Sequence, residues 1–194
     1  SAFEFTHIRN VILPNNVTEV SDNAFANIKE LRTVTFNDKN LKLMSNAFYN
    51  KGLIELSIPA NIEYIGEYSL IALENLTEYK VDENNKYYKV IDGAIYSKDG
   101  KKLIAYPAGK EGNFALPKEV ESIGFGAFES SKINNVDFSQ NTLLTTIGYR
   151  AFFKCNNLES VVIPANVISI DYYAFAYCKK LKQVVFEENS KLNG

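Results

Sequence analysis

The side chains able to do chemistry are few and widely spaced. His7 is the only histidine and sits near the N-terminus, so a histidine-held metal or a Ser/His/Asp relay would rest on one residue at an edge. Glu55 and Glu78 are 23 residues apart and could pose as a general acid and base, but only a pocket that excludes water would tune them for the work. Cys155 and Cys178 are also 23 apart. Two thiols are too few for a disulfide scaffold or a structural metal, and a single bridge needs Cα atoms within about 7 Å. They read first as two small buried side chains in neighbouring units. Glycine-rich phosphate loops, C-x-x-C and G-x-S-x-G are absent, while Asn16-Val-Thr18 and Asn75-Leu-Thr77 match a glycosylation pattern that carries weight only in a eukaryotic secretory context. No catalytic residue, metal or cofactor is expected.

The recurring interval of 23 points to the elements that carry these residues. Ala-Phe occurs at 2–3, 24–25, 47–48, 127–128, 151–152 and 174–175, with Ser69-Leu70 in the same phase, at intervals of 22, 23, 22, 58, 24 and 23. Around it recurs L-x-x-V-x-I-P-x-x-V-x-x-I-x-x-x-A-F, seen from Leu158 to Phe175 and again from Leu53. A coil of about 23 residues is too short for two packed helices, so one short strand per coil is the economical solution. Val34-Thr35-Phe36, Leu56-Ser57-Ile58 and Val136-Asp137-Phe138 alternate as half-buried strands do. Pro14, Pro59, Pro117 and Pro164 end the strands, and Asn37, Asp82 and Ser139 fill that column in other units. The pairs Val17/Val20, Ile62/Ile65, Val120/Ile123, Leu144/Ile147 and Val167/Ile170 mark a second, shorter extended segment. In the second unit Leu41 and Met44 lie one place late, which predicts a bulge or a looser coil.

The interval of 58 holds one unit that lacks Ala-Phe and is about a dozen residues longer. Asp99-Gly100 between two apolar runs predicts a β-hairpin across about Ala94 to Tyr106, within a lengthened unit at about 82–116, projecting Tyr96 and Tyr106 as a distinctive surface.

Ile163-Pro164, Val167, Ile170, Ala174-Phe175, Cys178 and Leu181 resemble the BspA-type leucine-rich repeat of the bacterial cell surface. The resemblance implies a right-handed solenoid of short parallel strands with little helix, one domain over residues 1–194. It also implies a secreted or surface-attached protein that binds a host extracellular-matrix or other cell-surface protein, or a glycan. The first and last residues fall inside repeats without polar caps, so a segment of a longer array is expected.

With 21 Lys plus Arg against 23 Asp plus Glu the net charge is −2, which gives nucleic acid no basic footprint. There is no run of about 18 apolar residues to span a membrane, and the termini carry no address. Binding is therefore expected on the outward columns of the main strands, Thr33, Glu55, Glu78, Asn135, Ser160 and Gln183, and Thr35, Ser57, Lys80, Asp137, Val162 and Val185, together with the hairpin tyrosines Tyr96 and Tyr106. Phe125, Tyr149 and Tyr172 share a column that reads first as packing between neighbouring coils, with an aromatic patch for a glycan or a partner protein as the alternative. The rival expectations are a rigid spacer that presents a neighbouring domain and, last, an enzyme.

Overall fold

Parallel strands one coil apart pair at the same offset in every turn, so a 23-residue grammar stacks into a column. The computed structural model describes residues 3–193, which excludes Ala2 of the first Ala-Phe pair, and it is a β-solenoid of about 8 turns with no helix among those residues. The N-terminal strands are β1 (Asn10–Ile12), β2 (Glu19–Val20), β3 (Thr33–Thr35), β4 (Leu41–Leu43), β5 (Ser57–Ile58), β6 (Ile62–Ile65) and β7 (Lys80–Val81). The lengthened unit contributes β8 (Tyr88–Ile91), β9 (Ala94–Ser97) and β10 (Lys102–Ala105). Regular coils then resume with β11 (Gly112–Ala115), β12 (Ser122–Ile123), β13 (Ile133–Asp137), β14 (Thr146–Ile147), β15 (Ser160–Ile163), β16 (Ser169–Ile170) and β17 (Gln183–Phe186).

The main strands form a first ladder in four parallel pairs, β1-β3, β5-β7, β11-β13 and β15-β17. Each pair begins with a coil that carries proline. In the second coil of a pair the equivalent residue still has its N–H: Asp82 donates to Ile58 O at 2.9 Å and Glu187 to Ile163 O at 3.0 Å. Pro59, Pro117 and Pro164 have none to give to the coil before them, and the ladder breaks there. In the first three pairs the second coil supplies a buried asparagine instead. The Asn141 amide donates to Pro117 O at 2.7 Å and Val120 O at 2.9 Å while its carbonyl accepts from the N–H groups of Leu143 and Leu144. Asn85 repeats this on Pro59 and Ile62, and Asn37 clamps Pro14 and Val17. The structural period is thus two coils, a level of order absent from the sequence reading, which placed Asp82 and Ser139 with Asn37 as equivalent turn formers.

The shorter segments form the second ladder, β2-β4-β6 and then β16-β14-β12-β10. The irregular second unit is as expected: the β4–β6 register shifts after Leu41. Leu43, fully buried, takes the inner place expected for Met44, because β4 spans in two residues what β6 spans in three.

Inside, the aromatic column stacks coil on coil. Ring centroids of Phe3, Phe25 and Phe48 follow at 5.2 and 5.4 Å, and those of Tyr106, Phe128, Phe152 and Phe175 at 4.9, 4.6 and 5.0 Å. Each such contact adds about 0.5–1.5 kcal/mol beyond burial. Leu70 separates the two stacks.

The hairpin is present, as β9 and β10 in antiparallel register, but it belongs to a three-stranded meander whose edge strand is β8. Asp92-Gly93 turns β8 against β9, and β10 pairs in parallel with β12, so the meander extends the second ladder. β9 is covered on both faces. Ile95 packs into the N-terminal core with Tyr79 and Tyr88, while Ala94 and Tyr96 pack into the C-terminal core with Leu103 and Tyr106. The expectation that Tyr96 and Tyr106 form a surface is therefore corrected: their exposures are 0% and 1%. Tyr106 is the missing member of the Ala-Phe column. Its N–H donates to Ala127 O at 2.7 Å, the bond that Phe128 makes to Ala151 and Phe152 to Ala174 at the same length.

Candidate binding face

Side chains on the first ladder alternate inward and outward because strands have a period of two. Val161 and Ile163 of β15 are buried, whereas Ser160 and Val162 face out. The pairing puts the outward residues in register: Ser57 with Lys80, Asn135 with Asn113, Asp137 with Ala115, Ser160 with Gln183 and Val162 with Val185. Thr33 lies beside Asn10 and donates its hydroxyl to Asn10 Oδ1 at 2.7 Å, and Thr35 lies beside Ile12. Thr33 is half-buried and the other column residues are exposed. Glu55 and Glu78 also lie in exposed positions, each just ahead of its strand, with Glu78 Oε1 at 3.8 Å from Lys80 Nζ. A pair so exposed is worth about 0–1 kcal/mol.

Asn113 and Ala115 belong to the columns and were missed by sequence reading, although Phe114-Ala-Leu116-Pro117 carries the strand-then-proline signal. The break between β13 and β15 opens a cleft of about 200 Å³ lined by Asn135, Asp137, Ser139, Ser160, Val162 and Glu187. Ser139 N–H donates to Asp137 Oδ1 at 2.8 Å and holds that carboxyl below the usual carboxylate range. Glu187 Oε2 accepts from Ala165 N–H at 3.0 Å. Val162, at 50% exposure, and Val185, at 38%, form a small apolar step beside the cleft.

His7 is exposed and pairs with Glu30 at 2.7 Å; hydrogen bonds from His7 and Arg9 lower the Glu30 carboxyl. Among the described residues no three His, Cys, Asp or Glu side chains group as metal ligands. Both cysteines are free thiols. Cys155 donates to Phe128 O and Cys178 to Phe152 O, each at 3.0 Å, so each thiol satisfies a carbonyl of the preceding coil. Burial pushes the Cys155 thiol up. In the aromatic column Phe125 and Tyr149 are half-buried and meet edge to face at 6.3 Å across neighbouring coils, while Tyr172 is exposed.

Six copies of the BspA type leucine rich repeat region are recognised in this chain, over residues 1–99 and 106–193. The chain belongs to that family. This leucine-rich repeat is similar to a leucine-rich repeat protein of Eubacterium ventriosum, at 27% identity over 92% of this chain and 54% of that one, with a TM-score of 0.79. The pneumococcal vaccine antigen PcpA is 24% identical over 97% of this chain and 53% of its own, with a TM-score of 0.77. A leucine rich cell surface protein of Faecalibacterium prausnitzii is 22% identical over 96% and 64%, with a TM-score of 0.67. The latter two likenesses concern the fold alone, and the chain spans about half the length of the first two. No curated protein matches. No helix among the described residues is long and apolar enough to cross a membrane. Repeats of this kind are typically protein-interaction modules, generally without catalysis.

Proposed function

We propose that this leucine-rich repeat is a non-catalytic adhesion module of a secreted or surface-attached bacterial protein, and that it holds a protein partner on the outward columns of its first ladder. The observation that carries this reading is the in-register pairing of Ser160 with Gln183 and Val162 with Val185, beside a cleft walled by Asp137 and Glu187. A small apolar step rimmed by polar and charged groups is how interfaces are built, with the rim setting register and the dry centre supplying affinity. The N-terminal columns, with Thr35, Ser57 and Lys80, extend the same surface with polar chemistry. That the fold is shared with a leucine rich cell surface protein of F. prausnitzii supports the location.

The test is a screen of the chain against immobilised extracellular-matrix proteins at two salt concentrations, since charge-driven stickiness fades with salt and a packed interface does not. A saturable, salt-tolerant partner is expected. Val162→Asp with Val185→Asp should weaken that partner at least tenfold while the melting curve stays in place, and Glu78→Ala with Lys80→Ala should weaken it less. Silence across the screen would favour the rigid spacer.

A further inference from the structure

A second concavity is made where the two arms of the solenoid meet, and it shares no residue with the first-ladder columns. Elsewhere the chain turns through residues 22–27, 125–130, 149–154 or 172–177 to deliver Ala-Phe to the core, but β10 runs directly into Ala105-Tyr106 without such a turn. The coils on either side close over the vacated space. Tyr49 donates its hydroxyl to Glu129 Oε1, 80 residues away, at 3.2 Å, and Arg150 Nη2 donates to the same oxygen at 3.0 Å. The Arg150 guanidinium also lies over Phe153 at 3.7 Å and Tyr68 at 5.8 Å. Gly126, at φ +60, admits this approach, since a Cβ there would stand 2.4 Å from Ile71 Cδ1 and 2.9 Å from Tyr68 Cε1. Tyr68 and Arg150 occupy the left-handed position that Asn23, Asn46 and Gly126 fill in other coils.

Beyond this clasp lies a groove of about 570 Å³, a volume suited to a small ligand, with Tyr49, Lys51 and Glu74 on one arm and Lys132, Lys154 and Asn156 on the other. Lys51 is neutralised by Glu74 at 2.6 Å. Lys132 and Lys154 have no carboxylate within ion-pair distance among the described residues. Lys154 Nζ lies over the Phe153 ring at 5.2 Å, and both ammonium groups line the groove where an anion from outside can reach them, on a chain whose net charge is −2. The rest of the lining is amides and hydroxyls, which both donate and accept hydrogen bonds, with the Tyr49 ring as its one aromatic face. No lining residue belongs to a strand, so a peptide finds no sheet edge to extend.

We propose that this groove binds an acidic oligosaccharide, with its carboxylate or sulfate groups on Lys132 and Lys154, its hydroxyls on the amides, and one ring face on Tyr49. The intact chain would be titrated by calorimetry with an oligogalacturonate tetrasaccharide, a sulfated heparin tetrasaccharide and hexaglutamate. Saturable binding of one of the two sugars is expected, and which one binds separates carboxylate from sulfate as the anion. Lys132→Gln with Lys154→Gln should weaken it at least tenfold, while Lys86→Gln with Lys118→Gln, which removes equal charge from exposed sites elsewhere, should leave it unchanged; melting curves of both variants verify the fold. Binding of neither sugar at millimolar concentration, an unchanged affinity in the Lys132/Lys154 variant, or hexaglutamate binding as tightly as either sugar would overturn the proposal. The Val162/Val185 variant touches none of these residues, so a failed strand-face reading leaves this result standing.

Discussion

The coil around Phe152 and the unit that ends at Tyr106 reach the same point in the core by different routes. Phe152 arrives through a turn at residues 149–154, and Tyr106 arrives through a three-stranded meander, yet both close on the next coil with an identical 2.7 Å backbone bond. The core thus fixes the type of side chain and the bond that seats it, and leaves the path of the chain free. What changes with the path is the outside: the regular coil presents a turn, whereas the meander leaves a gap that draws the arms together.

Removing the ring tests that equivalence most severely. Tyr106→Ala and Phe152→Ala should each cost about 3–5 kcal/mol in denaturant unfolding, as large cavities in a packed core do. Tyr106→Phe should be neutral to within about 1 kcal/mol, because the Tyr106 hydroxyl is buried without a hydrogen-bond partner among the described residues and burial has pushed it up to about 12. A large loss in Tyr106→Phe would mean that the meander needs the tyrosine as such. At the next level, Asn141→Ala should cost about 1–3 kcal/mol, since the Val120 carbonyl loses its donor, that of Pro117 keeps only the Val120 N–H, and the N–H groups of Leu143 and Leu144 lose their acceptor. Asn37→Ala should cost less, because its carbonyl accepts one N–H where that of Asn141 accepts two.

A smaller, pH-dependent effect belongs to the clasp. Burial raises the Glu129 carboxyl above its ordinary value, and Arg150 only partly opposes this. The folded chain therefore binds the proton more tightly than the unfolded chain, so stability falls as pH rises from the ordinary carboxylate value to the raised one, then levels off. Glu129→Gln should flatten that segment of a stability-against-pH profile; an unaltered profile would assign the slope to other groups. Least of all, Pro59→Ala restores an N–H at a ladder break and should change stability by less than about 1 kcal/mol, and the amide so introduced should be protected from hydrogen exchange; a freely exchanging amide at that position would mean that the missing donor is not what breaks the ladder.

Legibility followed the range of the contacts. The coil length, both ladders, the late register of Leu41 and the hairpin turn at Asp99-Gly100 were readable, because each depends on residues within one coil or on the offset to the next. Val162 beside Val185 and Ser160 beside Gln183 followed from the same offset. Ala105-Tyr106 was misread because a D-G turn flanked by apolar alternation looks alike whether one face of the hairpin is covered or two. The alternation of proline and asparagine coils was visible in the letters, but its meaning lay in which carbonyls the asparagines reach.

The sequence by itself determined a stack of 23-residue coils with a mixed outward face, since stacking repeats one local rule and needs no knowledge of distant parts. Only the tertiary structure decided that Tyr96 and Tyr106 lie inside, that Tyr49 meets Glu129, and that a groove lined by Lys132 and Lys154 opens between the arms. Those facts depend on a turn that one coil lacks, and an absence in one place acts through the packing of everything on either side of it.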